Sequence, residues 1–96
     1  MKMVMITYNE ALEDEIMDFL EKNSIKNYTK MTKVYGRGTA SGTHLGNDIW
    51  PGLNNILYIA CKDDEARHLA SGVSDLRKTL GKEGVKAFVM PIDEIT

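Results

Sequence analysis

The chain is predicted to fold as one α+β domain with the element order βαββαβ, a four-stranded antiparallel sheet carrying two helices on one face. Three observations predict this. Two short runs, Met3 to Tyr8 and Ile56 to Cys61, are apolar at odd and even positions alike. Each is followed by a segment whose apolar residues recur at helical spacing, and two further β-rich stretches, residues 28–35 and 85–92, complete the pattern.

The first strand is expected over residues 1–8, and its lack of a polar face suits a central position covered on both sides. Asn9 has the chemistry of an N-cap and Glu10 and Glu13 that of a first helical turn. Leu12, Ile16, Phe19 and Leu20 then mark one helical stripe up to a break at Asn23 and Ser24. The segment YTKMTKVY, residues 28–35, reads as an edge strand, with Lys30 and Lys33 as charges that discourage further pairing. Residues 56–61 again lack a polar face and belong in the middle of the sheet. Asp63 or Asp64 is expected to cap a second helix, whose Ala66, Leu69, Ala70, Val73, Leu76 and Leu80 share a stripe that Gly81 ends. Val85 to Ile92 is the last strand.

This order is the ferredoxin-like split βαβ arrangement, and residues 1–96 are expected to form a single such domain. With both helices on one face, the apolar residues on the other side of the central strands need a cover. A homo-oligomer supplies one. The alternative, apolar side chains on an ordinary surface, stays open because a large share of any protein surface is apolar.

Composition narrows the function classes. With 43% apolar residues, 27% charged residues and a net charge of -2, the chain is an ordinary globular one with no basic face for phosphate neutralisation, so no nucleic-acid partner is expected. The single Cys61 lies in the run ILYIAC and is expected to act as a small hydrophobe in a reducing, cytoplasmic setting. No signal-peptide pattern and no apolar run near ~20 residues appears, so direct membrane insertion is not expected.

The function is expected in the loop from Gly36 to Asn55, GRGTASGTHLGNDIWPGLNN, far longer than the about four to six residues of a typical connection. Gly36, Gly38 and Gly42 alternate there with Arg37, Thr39, Ser41 and Thr43, giving open backbone amides, hydroxyls and a guanidinium, the parts of an anion cradle. A hairpin with glycines at turn positions explains the same residues equally well. The stretch is neither a P-loop nor a dinucleotide fingerprint, because the required spacings are missing. Leu45, Ile49 and Trp50 serve as apolar anchors or as a partner-binding surface. The turn GKEGVK adds Lys82, Gly84 and Lys86, read as an ordinary helix exit or, across a subunit boundary, as part of an anion site. His44 and Asp48 are the candidate metal ligands, without a recognised ligand spacing. No nucleophile with an adjacent base and no carboxylate pair can be read, so enzymatic activity is not expected.

These motifs resemble the PII signal-transduction family nearly end to end. Val34, Gly36, Gly38 and Gly42 are similar to the close of that family's second strand and the glycines after it. Asp63 and Asp64 resemble its acidic pair before helix two, and GKEGVKAFVMPIDE resembles its helix-two exit and last strand. The resemblance implies a homotrimer that binds an adenine nucleotide such as ATP, ADP or AMP in clefts between subunits and controls a membrane transporter or metabolic enzyme through the loop. It also implies Lys86 as a retained site residue, Lys82 near a second family lysine and Arg37 in place of a missing loop arginine. Thr39 and Ala40 stand where the family has arginine and glutamine, which argues against magnesium-dependent 2-oxoglutarate sensing, and Asn54 stands at a family lysine. Without a loop tyrosine beyond Tyr35, uridylylation is not expected. The segment THLGNDIWPGLN is similar to shorter PII-like proteins, some of which accompany metal efflux. The rival expectation is therefore a metal-responsive protein of the same trimeric fold, comparable with divalent-cation tolerance proteins and using His44 and Asp48. A small acylphosphatase-like enzyme ranks third, since its arginine and asparagine pair has no place here.

Overall fold

The computed structural model describes residues 1–37, 52–81 and 84–96. The elements are β1 (Lys2–Asn9), a 3-10 turn (Glu10–Leu12), α1 (Glu13–Lys22), β2 (Thr29–Tyr35), β3 (Leu53–Cys61), α2 (Asp63–Leu80) and β4 (Val85–Pro91). The sheet order is β2-β3-β1-β4, every neighbouring pair antiparallel, with both helices on one face. The expected fold is therefore present, with β1 and β3 central and β2 at an edge.

Alternation decides which face is the core. Val4, Ile6 and Tyr8 of β1 lie in register with Ile59, Leu57 and Asn55 of β3, and all are buried under the helices. Ile16, Phe19 and Leu20 of α1 and Ala66, Leu69 and Val73 of α2 close over them. Each fully buried Leu or Ile contributes about 1.5–3 kcal/mol relative to exposure, so these side chains hold the helices to the sheet.

The other face of β1 and β3 is not covered within one chain. Met3, Met5, Ile56 and Tyr58 are only half-buried there. Flanking them, Met31, Phe88 and Met90 are 48%, 45% and 38% exposed. The expectation that the central strands are covered on both sides is thus met on one side by this chain alone.

Three local expectations change. Asn9 caps the 3-10 turn, its Oδ1 accepting the Ala11 N–H at 2.9 Å, and α1 begins only at Glu13. The second helix is entered from Lys62, whose N–H donates to Glu65 Oε1 at 3.2 Å. Asp63 and Asp64 fall inside the first turn, where their charge favours the positive end of the helix dipole. Finally, β3 starts at Leu53 rather than Ile56, so Leu53, Asn54 and Asn55 belong to the sheet and not to the loop, because they pair with β2 and with Tyr8 and Asn9 of β1.

Candidate functional site

The loop leaves and re-enters the sheet through a narrow neck. The Gly36 N–H donates to the Gly52 carbonyl at 2.7 Å, and Asn54 Nδ2 donates to the same carbonyl at 3.1 Å. This closeness requires glycine at 52, and at 36 leaves room for a side chain only if the Asn54 amide turns aside. A Cβ on Gly52, which sits at φ +69, would lie 2.6 Å from the Gly36 carbonyl oxygen, and a Cβ on Gly36 would lie 2.5 Å from Asn54 Nδ2. Arg37 comes directly after Gly36, exposed, beyond the end of β2.

The second expected segment is anchored separately. The Gly84 carbonyl accepts the Asn9 N–H at 2.9 Å, tying the entry of β4 to the end of β1. Lys86 is exposed and pairs with Thr7, which puts it on the uncovered face of the sheet. Gly36 and Gly84 therefore emerge at the same end of the sheet but from its opposite edges. The separation is three strand spacings, about 14 Å. Within one chain Gly36 and Gly84 do not meet.

Of the expected ligand residues, Gly36, Arg37, Gly84 and Lys86 are thus located. Gly38, Thr39, Ser41, Gly42, Thr43 and Lys82 lie outside the described residues, as do Leu45, Ile49 and Trp50 and the candidate metal ligands His44 and Asp48. Among the described residues no group of three or more His, Cys, Asp or Glu side chains is arranged to hold a metal ion. His68 instead borders a depression of about 370 Å³ with Asn23, Ile25, Asp64, Glu65 and Leu69, at the end of the sheet away from the neck. Cys61 is buried, and burial foremost, with the nearby Glu65 and Asp64 charges, pushes its thiol up, which fits an inert core residue.

Sequence reasoning missed a polar cluster beneath the neck. Glu13 Oε1 accepts the Tyr8 hydroxyl at 2.5 Å and Asn55 Nδ2 at 3.1 Å, while Glu13 Oε2 is ion-paired with Lys30. Burial alone would push the Glu13 carboxyl up, but the hydrogen bonds from Lys30, Tyr8 and Asn55 outweigh it and hold the group below its ordinary value. Burial, and then the bond to Glu13, push the Tyr8 phenol well up. Lys30 is accordingly not an exposed edge charge: it lies half-buried, 5.8 Å from the centre of the Tyr28 ring. The signal that could have revealed the cluster is parity, since Tyr8 and Asn55 pair across β1 and β3 on the core face.

The chain has relatives among known proteins. The family model for Nitrogen regulatory protein P-II matches residues 1–96. The chain is 32% identical to Nitrogen fixation nifHD region GlnB-like protein 1 of Methanothermococcus thermolithotrophicus, over 98% of this chain and 90% of that protein. It is 27% identical to Nitrogen fixation nifHD1 region GlnB-like protein 1 of Methanosarcina barkeri, with the same coverage. Its fold is similar to that of CPII from Thiomonas intermedia K12 bound to ADP, AMP and acetate, at a TM-score of 0.70 and 17% identity over 95% of this chain and 84% of that one. The apo form of CPII also gives a TM-score of 0.70, at 16% identity over 95% and 87%.

Proposed function

The chain belongs to the nitrogen regulatory protein P-II family, and on that premise we propose that it is a trimeric PII-like regulator that binds an adenine nucleotide in clefts between subunits and acts on a transporter or enzyme through its long loop. The observation that carries this reading is the arrangement at one end of the sheet. The Gly36 neck with Arg37 and the Gly84 turn with Lys86 leave the same end from opposite edges, on either side of a half-apolar face that the chain itself does not cover. Packing such faces together around an axis brings the β2 edge of one subunit beside the β4 edge of the next. Arg37 and Lys86 then meet across the boundary, two cations at a phosphate.

The ligand class draws on the structural neighbours, among which CPII is described with ADP and AMP and, in another of its structures, with bicarbonate. The role is binding and signalling rather than catalysis, in keeping with a family of regulators. The transporter or enzyme partner is inferred from the family and the loop's length. Titration calorimetry with ATP, ADP, AMP and divalent metals tests the proposal. We expect micromolar or tighter binding of at least one nucleotide, weakened roughly ten-fold or more in Lys86→Ala, the factor for one charge-assisted contact. Absence of nucleotide binding together with tight zinc or copper binding that His44→Ala abolishes would overturn it in favour of a metal sensor.

A further inference from the structure

Asn55 is the one polar side chain in an otherwise apolar and aromatic buried set among the described residues, 6% exposed. Its place in the register explains it. Met31 pairs with Ile56 and Val34 with Asn54, which leaves Thr32 and Lys33 together opposite Asn55, the two-against-one count of a β-bulge. Lys33 sits there at φ 56, a left-handed conformation that a lysine holds only where its surroundings impose it. The Lys33 N–H donates to Asn55 Oδ1 at 3.4 Å, and the other end of the same amide, Nδ2, donates to Glu13 Oε1 at 3.1 Å. With Tyr8 and Lys30 on Glu13 as well, β1, α1, β2 and β3 all converge on the bulge.

The bulge redirects the rest of β2 and the neck beyond it. One extra residue in a strand reverses the face that every later residue occupies. With it, Val34 shares the uncovered face with Asn54; in an unbulged strand keeping the register of Met31, Tyr35 would take that face instead. Gly36 and Arg37 come next in the reversed order, and the Gly36 N–H meets the Gly52 carbonyl.

We infer that Asn55, clamped by Glu13, is a positioning residue: it imposes the bulge at Lys33, sets the face on which β2 delivers Gly36 and Arg37 to the neck, and thereby sets effector affinity without touching the effector. The effect on affinity rests on the proposed nucleotide binding; the positioning of the neck does not.

Amide hydrogen exchange on the full chain tests the positioning. In Asn55→Ala, protection of the Gly36 amide falls by roughly five- to ten-fold relative to the amides of α2, the factor for about one lost hydrogen bond. Adding Lys33→Gly restores it, because glycine takes the left-handed conformation without an imposed acceptor. Tyr8→Phe, which spares the pair between Asn55 and Lys33, leaves the ratio unchanged. If Asn55→Ala does not fold, Lys33→Val and Lys33→Gly decide the matter, the first lowering Gly36 protection selectively and the second not. A uniform loss across the chain, or no recovery with glycine at 33, overturns the proposal. Calorimetry with ADP then reads the effect on affinity: about ten-fold weaker binding in Asn55→Ala, regained with Lys33→Gly. Unchanged affinity despite lost Gly36 protection overturns the control of affinity alone. A wild-type chain that binds no nucleotide overturns it together with the effector reading, while the exchange ratio still decides the positioning.

Discussion

Glu13 takes three donors on its two carboxylate oxygens, so its charge is worth more to the folded chain than to the unfolded one. Its folded-state value is depressed below the ordinary 4.5, and the stabilisation is therefore fully present above that pH and lost as the pH falls through the depressed value. Because the side chain is 36% exposed, solvent screening limits the effect to about 1 kcal/mol. Urea unfolding of the wild type and Glu13→Gln is expected to show that gap at pH 7 and its progressive loss as the pH is lowered below the ordinary 4.5. A gap that persists at low pH would assign the effect to shape rather than charge. Little of this cluster was legible in the sequence. Lys30 looks like an edge-strand lysine, and only the pairing of Tyr8 with Asn55 across two strands shows that an acid on α1 has donors to meet.

At the scale of the elements, periodicity carried most of the information. The order of strands and helices, the edge position of β2 and the halt of α2 at Gly81 can be read from patterns of apolar residues and one glycine. The start of β3 cannot, because Leu53, Asn54 and Asn55 carry two amides and resemble a loop until their partners on β1 and β2 are known. The bulge is hidden for the same reason, being a property of two strands together. Helix packing offers a sharper case. Gly72 in the middle of α2 reads as a weak helix residue that alanine would improve by about 1 kcal/mol. Yet a Cβ there would lie 2.6 Å from Cε1 of Phe19, a ring buried between the helices. Overpacking of this kind costs about 1–3 kcal/mol, so packing outweighs propensity and Gly72→Ala is expected to lower the melting temperature by several degrees. A rise in Tm on thermal unfolding would show that Phe19 yields at little cost.

For the molecule as a whole, the uncovered sheet face is the feature that a single chain does not explain. Sedimentation velocity is expected to give a trimer for the wild type. Phe88→Glu, at a side chain 45% exposed in the single chain, should yield monomers with an unchanged far-ultraviolet circular dichroism spectrum, since the charge would meet only the neighbouring subunit. A wild-type monomer would remove the shared cleft. Among the described residues no helix is long and apolar enough to cross a membrane.

The neck between Gly36 and Gly52 has one more implication. The backbone hydrogen bond of 2.7 Å from Gly36 to Gly52 closes the chain on either side of residues 37–51, and the sheet register resumes at once with Tyr35 opposite Leu53. The scaffold consequently treats whatever lies between those glycines as a cassette. Closure entropy rises by only about 0.6 kcal/mol for each doubling of a flexible insert's length. Segments of very different length could be spliced at this junction while the sheet remains folded.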